Sequence, residues 1–119
     1  MIDFIQNITQ KLQKIIFILF YSYSFKKFGK KSTLLFPFRV NGAKYISIGN
    51  KVHVNEGSWM LAHKNSNKDP VIKIGSGAYI GRFVHIVAIN EIDIRDNVAM
   101  ADKVYISDNA HNYEDVNTL

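Results

Sequence analysis

The chain changes its hydrophobic pattern near residue 35. Before this point, aliphatic residues recur at steps of three and four with polar residues between them, at Ile5, Ile8, Leu12, Ile15 and Leu19. This spacing places them on one stripe and predicts an N-terminal amphipathic α-helix. Because Pro37 disfavours helical backbone in the residue before it, strands are expected to begin there. We therefore divide the chain into a helical, basic segment at 1–35 and a strand-forming region at 36–119.

From Val40 onward the helical period gives way to a period of six. An aliphatic residue leads each group of six, a small or polar residue often follows it, and a small or β-branched residue stands four places after the leader. The leaders are Ile48, Val54, Met60, Ile74, Ile80, Ile86, Ile94, Met100 and Ile106. The second column consists of Val52, Ser58, Ala78, Val84, Val98, Val104 and Ala110. Two columns that stay in register indicate one repeated structural unit.

Three groups of six make one coil, and the coils begin at residues 48, 74 and 94. Extra segments of eight and two residues join them, and the longer one, around 62–70, is polar and is expected to protrude as a loop. Three short strands per turn describe a triangular parallel β-helix whose core is filled by the leaders. The sequence thus predicts a mainly β fold of about three coils, capped by the N-terminal helix. The alternative is a β-sandwich, whose strands alternate every two residues.

Composition narrows the chemistry. The chain has no cysteine, which excludes disulfides, thiolate zinc sites and a cysteine nucleophile and fits a reducing compartment. The apolar run at 15–21 has seven residues, against about twenty needed to span a bilayer, and no signal-cleavage site follows it. We therefore expect a cytoplasmic protein.

Charge is distributed unevenly. Residues 1–51 carry nine Lys/Arg against one acid, a net charge of +8, whereas residues 52–119 carry six against nine, a net charge of −3. The lysines after the apolar run, at 26, 27, 30 and 31, suit an interfacial helix in peripheral contact with anionic lipid at the inner face of the membrane. The favoured interpretation is instead that the apolar face packs on the first coil and the lysines are solvated. Nucleic-acid binding is not expected, because no recognition-helix or stacking-aromatic pattern accompanies the charge.

The stretch from Gly42 to the end resembles the bacterial hexapeptide-repeat acetyltransferases that O-acetylate sugars, lipopolysaccharide and capsule. It is also similar in layout to the galactoside and maltose acetyltransferases. The resemblance is carried by the repeated Ile-Gly units and by Val104-Tyr-Ile-Ser-Asp-Asn-Ala-His-Asn-Tyr-Glu-Asp115. It implies a left-handed parallel β-helix, a homotrimer with active sites between subunits, acetyl-CoA as the acyl donor and a saccharide as the acceptor.

In the family, the motif Ile-x-Asp-x-x-His carries the catalytic histidine, so the resemblance makes His111 the general base. A hydroxyl must lose its proton as it attacks a thioester carbonyl, and a histidine with a pKa near the working pH suits that task. Asp108, three residues earlier, either orients the imidazole or holds a local turn with Asn109. Candidate contacts to the saccharide, chosen by position, are Asn90, Asn112, Tyr113, Glu114 and Asp115.

The other histidines are expected to be structural. His53 and His85 end their groups of six and are expected to face outward, and His63 lies in the polar insertion. Their spacing lacks the close pairs of a zinc site, so no metal is expected. Trp59 is suited to stacking on a sugar, but packing against the N-terminal helix is the favoured interpretation.

Family members continue past the histidine motif with further Ile-Gly coils, which supply most of the coenzyme A groove and much of the trimer contact. Here eight residues follow His111, so we expect the N-terminal part of such an enzyme, with the coenzyme A site beyond residue 119. Three functions stay open. The first is acetyl transfer to a saccharide hydroxyl, the second is transfer to an amino sugar by the same fold, and the third is a non-catalytic β-helical assembly module.

Overall fold

The computed structural model describes residues 1–65 and 67–108, without the side chains of residues 14 and 16–20. Helix α1 spans Ile2–Phe20, and short 3₁₀-helices span Ser22–Ser24 and Ala43–Tyr45. The strands of the described part are short. They are β1 Lys27–Phe28, β2 Thr33–Leu34, β3 Phe38–Asn41, β4 Ile46–Ile48, β5 His53–Val54, β6 Ser58–Ala62, β7 Val71–Ile74, β8 Tyr79–Ile80, β9 His85–Ala88, β10 Glu91–Ile94, β11 Ala99–Met100 and β12 Tyr105–Ser107.

These strands form three parallel sheets of four strands each. Sheet one has the order β1-β4-β7-β10, sheet two β2-β5-β8-β11 and sheet three β3-β6-β9-β12. Each passage of the chain adds one strand to every sheet in the same order, which is the arrangement a parallel β-helix requires. The expectation of a mainly β fold with an N-terminal helix and parallel sheets is confirmed.

The leaders of the groups of six stack on one another inside the coil. Ile48 pairs in register with Ile74, Val54 with Ile80, and Met60 with Ile86. All six side chains are buried, because alternation along each strand turns every second residue inward. Burying one such side chain contributes about 1.5–3 kcal/mol, so these columns supply a large part of the stability of the hydrophobic core.

The structure has four coils among its described residues, one more than the sequence analysis registers. Phe28, Leu34 and Val40 lead the additional coil and pair with the leaders of the next one at 48, 54 and 60. Residues 28–34 fall in the predicted helical segment because the leader Phe28 is aromatic and Phe38 stands where later coils have a small or β-branched residue. Strands β1 and β2 therefore lie inside the range assigned to the helical segment, and the β-helix begins near residue 27.

Ser32 carries the signal that would have identified this first coil. It stands four places after Phe28, and Gly29 follows the leader, as in the later coils. The Ser32 hydroxyl is buried, donates to the carbonyl of Gly49 at 2.6 Å and accepts from the N–H of Val52 at 3.0 Å. A small residue is needed in this column because it packs directly against the backbone of the next coil.

The first edge of the β-helix, between sheets one and two, and the second edge, between sheets two and three, consist of stacked tight turns. The residue three places after a leader takes the left-handed conformation, at Lys31, Lys51, Gly57, Gly77, Phe83, Asn97 and Lys103. Its N–H donates to the preceding coil, as from Lys51 to the Lys30 carbonyl at 2.9 Å. A lysine or phenylalanine in this region is disfavoured by about 1–2 kcal/mol, so the surrounding coils must hold it there. Pro37 occupies the corresponding position of the first coil, after a cis peptide bond.

The third edge, where the chain passes from sheet three back to sheet one, varies in length. Along sheet one, partners are separated by 20, 26 and 20 residues, from Lys27 to Ser47, Lys73 and Asp93. The six additional residues lie in the segment 63–70, which is exposed apart from Pro70 in its described positions. This loop is closed by an antiparallel bridge between Asn65 and Lys68 and by a 3.2 Å ion pair between Lys64 and Asp69.

Helix α1 does not pack its apolar side on the first coil over its first fifteen residues. A groove of about 340 Å³ separates the helix from the coil, and its helix side consists mainly of Gln6, Thr9, Gln10 and Gln13. Ile8, Leu12 and Ile15 are exposed. The favoured interpretation of the helix as an apolar cap therefore does not describe this part of α1. No helix in the described part of the chain is long and apolar enough to cross a membrane.

Candidate functional site on the third edge

The predicted catalytic site lies only partly within the described residues. His111, Asn112, Tyr113, Glu114 and Asp115 lie outside them. Asp108 and Asn90 are described, and both lie on the third edge of the β-helix. Asp108 immediately follows β12, and Asn90 lies in the turn between β9 and β10 one coil earlier.

Asp108 binds that turn through both of its carboxylate oxygens. Oδ1 accepts from the N–H of Ile89 at 2.8 Å, and Oδ2 accepts from the N–H of Asn90 at 2.7 Å. The backbone N–H of Asp108 also donates to the carbonyl of Val87 at 3.3 Å. Asp108 therefore holds the turn of the preceding coil, whereas the predicted local turn with Asn109 lies outside the described residues.

The position of Asp108 in its group of six explains this role. The third residue of a group repeatedly accepts a hydrogen bond from the backbone of the coil before it. Asn50 accepts from the N–H of Lys30 at 2.9 Å, Asp96 from Ser76 at 2.9 Å and Asp102 from Arg82 at 2.8 Å. Asp96, Asp102 and Asp108 stand six residues apart, so the repeat itself contains the signal for a structural carboxylate. Asp108 differs by accepting from two N–H groups.

Removing the Asp108 carboxylate is expected to loosen the turn at Ile89 and Asn90. Hydrogen bonds to a charged group contribute about 1.5–3 kcal/mol, which corresponds to roughly ten- to hundredfold faster local amide exchange. Hydrogen exchange of these two amides in Asp108→Ala, followed by NMR, measures the effect. Asp102→Ala is the matched control, because it frees the amide of Arg82 on another edge. Equal protection at residues 89 and 90 in Asp108→Ala and the wild type would contradict this role.

The protruding loop connects to the same turn. The N–H of His63, at the start of the loop, donates to the carbonyl of Ala88 at 2.9 Å. The next residue, Ile89, donates to Asp108. Loop, turn and carboxylate thus lie on consecutive coils of one edge, and the imidazole of His63 and the side chain of Asn90 are exposed there. Sequence analysis identifies the loop and the carboxylate separately, whereas their alignment follows only from the stacking of the coils.

His53 is a structural histidine. Its Nδ1 lies 2.7 Å from Thr33 Oγ1, its Nε2 lies 3.2 Å from Asn55 Oδ1, and its ring stacks on that of Tyr79. Because the Asn55 amide nitrogen donates to the Ile80 carbonyl, Oδ1 is the acceptor. The tautomer of a neutral imidazole that fits these partners has its proton on Nε2 and accepts from the threonine hydroxyl at Nδ1. Both nitrogens are satisfied on the outer side of sheet two.

His85 belongs to a column of large side chains on the outer side of sheet three. The Arg39 guanidinium lies 5.0 Å from the Trp59 ring, Trp59 meets His85 edge-on at 5.1 Å, and His85 meets Tyr105 at 6.2 Å. Trp59 thus packs between its neighbours in the sheet, whereas sequence analysis favours packing against the helix. These side chains align only because the loop at 63–70 adds six residues to the second coil. Trp59 therefore pairs with His85, 26 residues later, whereas partners in the other coils are 20 residues apart.

A groove of about 490 Å³ runs along sheet one at the first edge. Lys27, Lys73 and Arg95 line it together with Asp93 and Asp96, and Arg95 pairs with Asp93 at 3.1 Å. Because the charge is mixed, we assign no phosphate of coenzyme A to this groove. Within residues 1–65 and 67–108, no cluster of three or more His, Asp or Glu side chains is arranged to hold a metal ion.

Comparisons of this chain with protein-family models, with curated proteins and with solved structures found no match.

Proposed function

We propose that this protein is an acetyltransferase that moves an acetyl group from acetyl-CoA to a hydroxyl of a saccharide, with His111 as the general base. The observation that carries the proposal is the anchoring of Asp108 to the turn at residues 89–90. The motif that resembles the family's catalytic segment thus begins at a fixed point on the edge that also carries the loop. Catalytic groups need neighbours that are themselves held in place, and Asp108, three residues before the proposed base in the sequence, is held in this way.

The reaction has a simple balance of atoms. As the acceptor oxygen attacks the thioester carbonyl, its proton passes to the His111 imidazole, and a carbon–oxygen bond forms. The tetrahedral intermediate then breaks its carbon–sulfur bond, and the departing thiolate of coenzyme A takes the proton from the imidazolium. No covalent enzyme intermediate is needed, which agrees with a chain that has no cysteine.

Asp108 has a supporting part in this proposal. Each carboxylate oxygen retains a second lone pair after accepting one backbone N–H, so the same group is able to orient an imidazole while it holds the turn. Asn90 is exposed in that turn and is proposed to contact the acceptor, together with Asn112, Tyr113, Glu114 and Asp115. Left-handed coiling and a homotrimer complete the proposal, and both rest on the family resemblance. A cytoplasmic location is proposed as well, and it rests on the cysteine-free composition.

The absence of cysteine makes the transfer reaction easy to follow. Release of coenzyme A is measured with a thiol-reactive dye, because the protein itself contributes no thiol. We expect release that depends on an oligosaccharide with free hydroxyls and that exceeds the rate with the matching amino sugar. A preference for the amine assigns N-acyl transfer instead. No acceptor-dependent release by the full-length protein, together with no binding of acetyl-CoA to it by calorimetry, assigns a non-catalytic assembly module.

A further inference from the structure

Helix α1 exposes a continuous apolar stripe. Phe4, Ile8, Leu12 and Ile15 are 65%, 42%, 54% and 53% exposed. They recur at steps of three and four, so they line one side of the helix. Isolated apolar residues on a protein surface are ordinary. A row of four on one helix face instead indicates a surface that contacts a lipid bilayer or another protein molecule.

The β-helix itself does not cover this stripe. The side of α1 that faces the first coil across the groove is mainly polar and is formed by Gln6, Thr9, Gln10 and Gln13 together with Ile5, opposite Leu35, Phe36 and Glu56. A helix that served to close the hydrophobic core would have the reverse orientation. The apolar side is therefore presented away from the body of the protein.

The charge of the first coil indicates what kind of surface the apolar stripe contacts. Between Asp3 and Glu56 the sequence has no acidic residue. The first coil and its flanks carry six exposed cations, at Lys26, Lys27, Lys30, Lys31, Arg39 and Lys44. The ion pairs in the described part of the chain use Lys64, Arg82 and Arg95, and none involves these six.

The opposite end of the β-helix has the opposite charge. The last coil, residues 91–108, carries five acidic residues against Arg95 and Lys103. Charge therefore changes sign along the axis, and the positive end is the one that bears α1. An anionic surface would attract the helix end and repel the far end, which orients the molecule as it approaches.

We propose that α1 is an interfacial anchor that lies in the plane of an anionic bilayer. Its stripe enters the boundary between headgroups and acyl chains, and the lysines of the first coil contact the headgroups. Pairing of α1 with a second copy would bring two such basic coils together, and like charges oppose that arrangement. The inference does not depend on the proposed acetyltransferase activity.

Co-sedimentation of the full chain with lipid vesicles tests the stripe. We expect binding to vesicles that contain about one-third phosphatidylglycerol and little binding to pure phosphatidylcholine. Leu12→Glu is expected to lower the partition coefficient tenfold or more, because it puts a charge on the inserted side. Gln10→Glu is the matched control, since it changes the net charge equally on the side that faces the coil. Equal losses in both variants would overturn the proposal.

A second pair of variants tests the charge. Replacing Lys30 and Lys31 with glutamine is expected to weaken binding about tenfold or more, since each lysine near an anionic surface contributes about 1 kcal/mol. Replacing Lys68 and Lys103 removes the same charge away from the helix end, and Lys103 shares the left-handed conformation of Lys31. Equal binding by both double variants, or equal binding of the wild type to neutral and anionic vesicles, would overturn the proposal. If Leu12→Glu dissolves an oligomer and leaves vesicle binding unchanged, the stripe contacts a second copy and the assignment to a membrane is wrong.

Discussion

Replacing His111 with alanine is expected to slow acetyl transfer by roughly 10²–10⁴-fold, the usual contribution of a positioned general base. The hydroxyl of a sugar is a weak nucleophile, and without a base it must attack while still carrying its proton. The decrease is expected in kcat, because the imidazole acts on the reacting atoms rather than on ground-state binding. Initial rates of coenzyme A release at saturating acetyl-CoA and acceptor measure it.

Two controls separate a base from a merely structural histidine. His63→Ala removes the exposed imidazole of the protruding loop and is expected to leave kcat within a factor of about two, because surface substitutions of this kind have small effects. Added free imidazole is expected to restore part of the activity of His111→Ala, since a small base is able to occupy the space left by the side chain. Retained activity in His111→Ala, or a large loss in His63→Ala, would show that the base is assigned to the wrong residue.

Replacing Ile80 with alanine is expected to lower the free energy of unfolding by about 2–5 kcal/mol. Ile80 is 1% exposed and stacks between Val54 of the preceding coil and Met100 of the following one. Neither neighbour is able to move into the cavity without breaking the register of its own strand. Urea unfolding measures this change in free energy. It is followed by the fluorescence of Trp59, the single tryptophan of the chain, which lies in the neighbouring second coil.

The same substitution on the helix provides the control. Ile8 is 42% exposed on α1, and alanine is a better helix former than isoleucine, so Ile8→Ala is expected to change stability by about 0.5 kcal/mol or less. Ile80→Ala and Ile8→Ala thus make the same substitution, once inside the stacked core of the β-helix and once on an exposed helix surface. A comparable loss of stability in Ile8→Ala would mean that the stripe of α1 is covered in solution.

The leaders could be predicted from sequence because each one obeys a local rule that repeats without regard to the rest of the chain. The first coil was not predicted, because Phe28 stands where the rule expects an aliphatic residue and Phe38 where it expects a small one. Their pairing with Ile48 and Ser58 shows that the register of neighbouring coils tolerates these side chains at the end of a stack, where one side is not covered by another coil.

Contacts between coils could be predicted less well. The hydrogen bonds that Asp108 accepts from Ile89 and Asn90 join residues 19 and 18 positions apart, and the separation depends on how many residues the third edge holds. The orientation of α1 is a related case. Its sequence specifies an apolar side, but only packing decides whether that side meets the coil, and here Gln6 and Gln13 face the coil instead.

The first and second edges have turns of constant length and the third edge does not, and this difference decides where such a protein tolerates insertions and substitutions during evolution. At the first and second edges, each turn donates to the coil before it, so an inserted residue would shift every strand that follows. The third edge already holds connections of different length, including the loop at 63–70, while all three sheets remain in register. Length and composition there are free to change without cost to the core, and the proposed site is on that edge. For the proposed acetyltransferase, a new acceptor specificity therefore requires substitutions on one side of the molecule only, whereas the other two sides keep the coils in register.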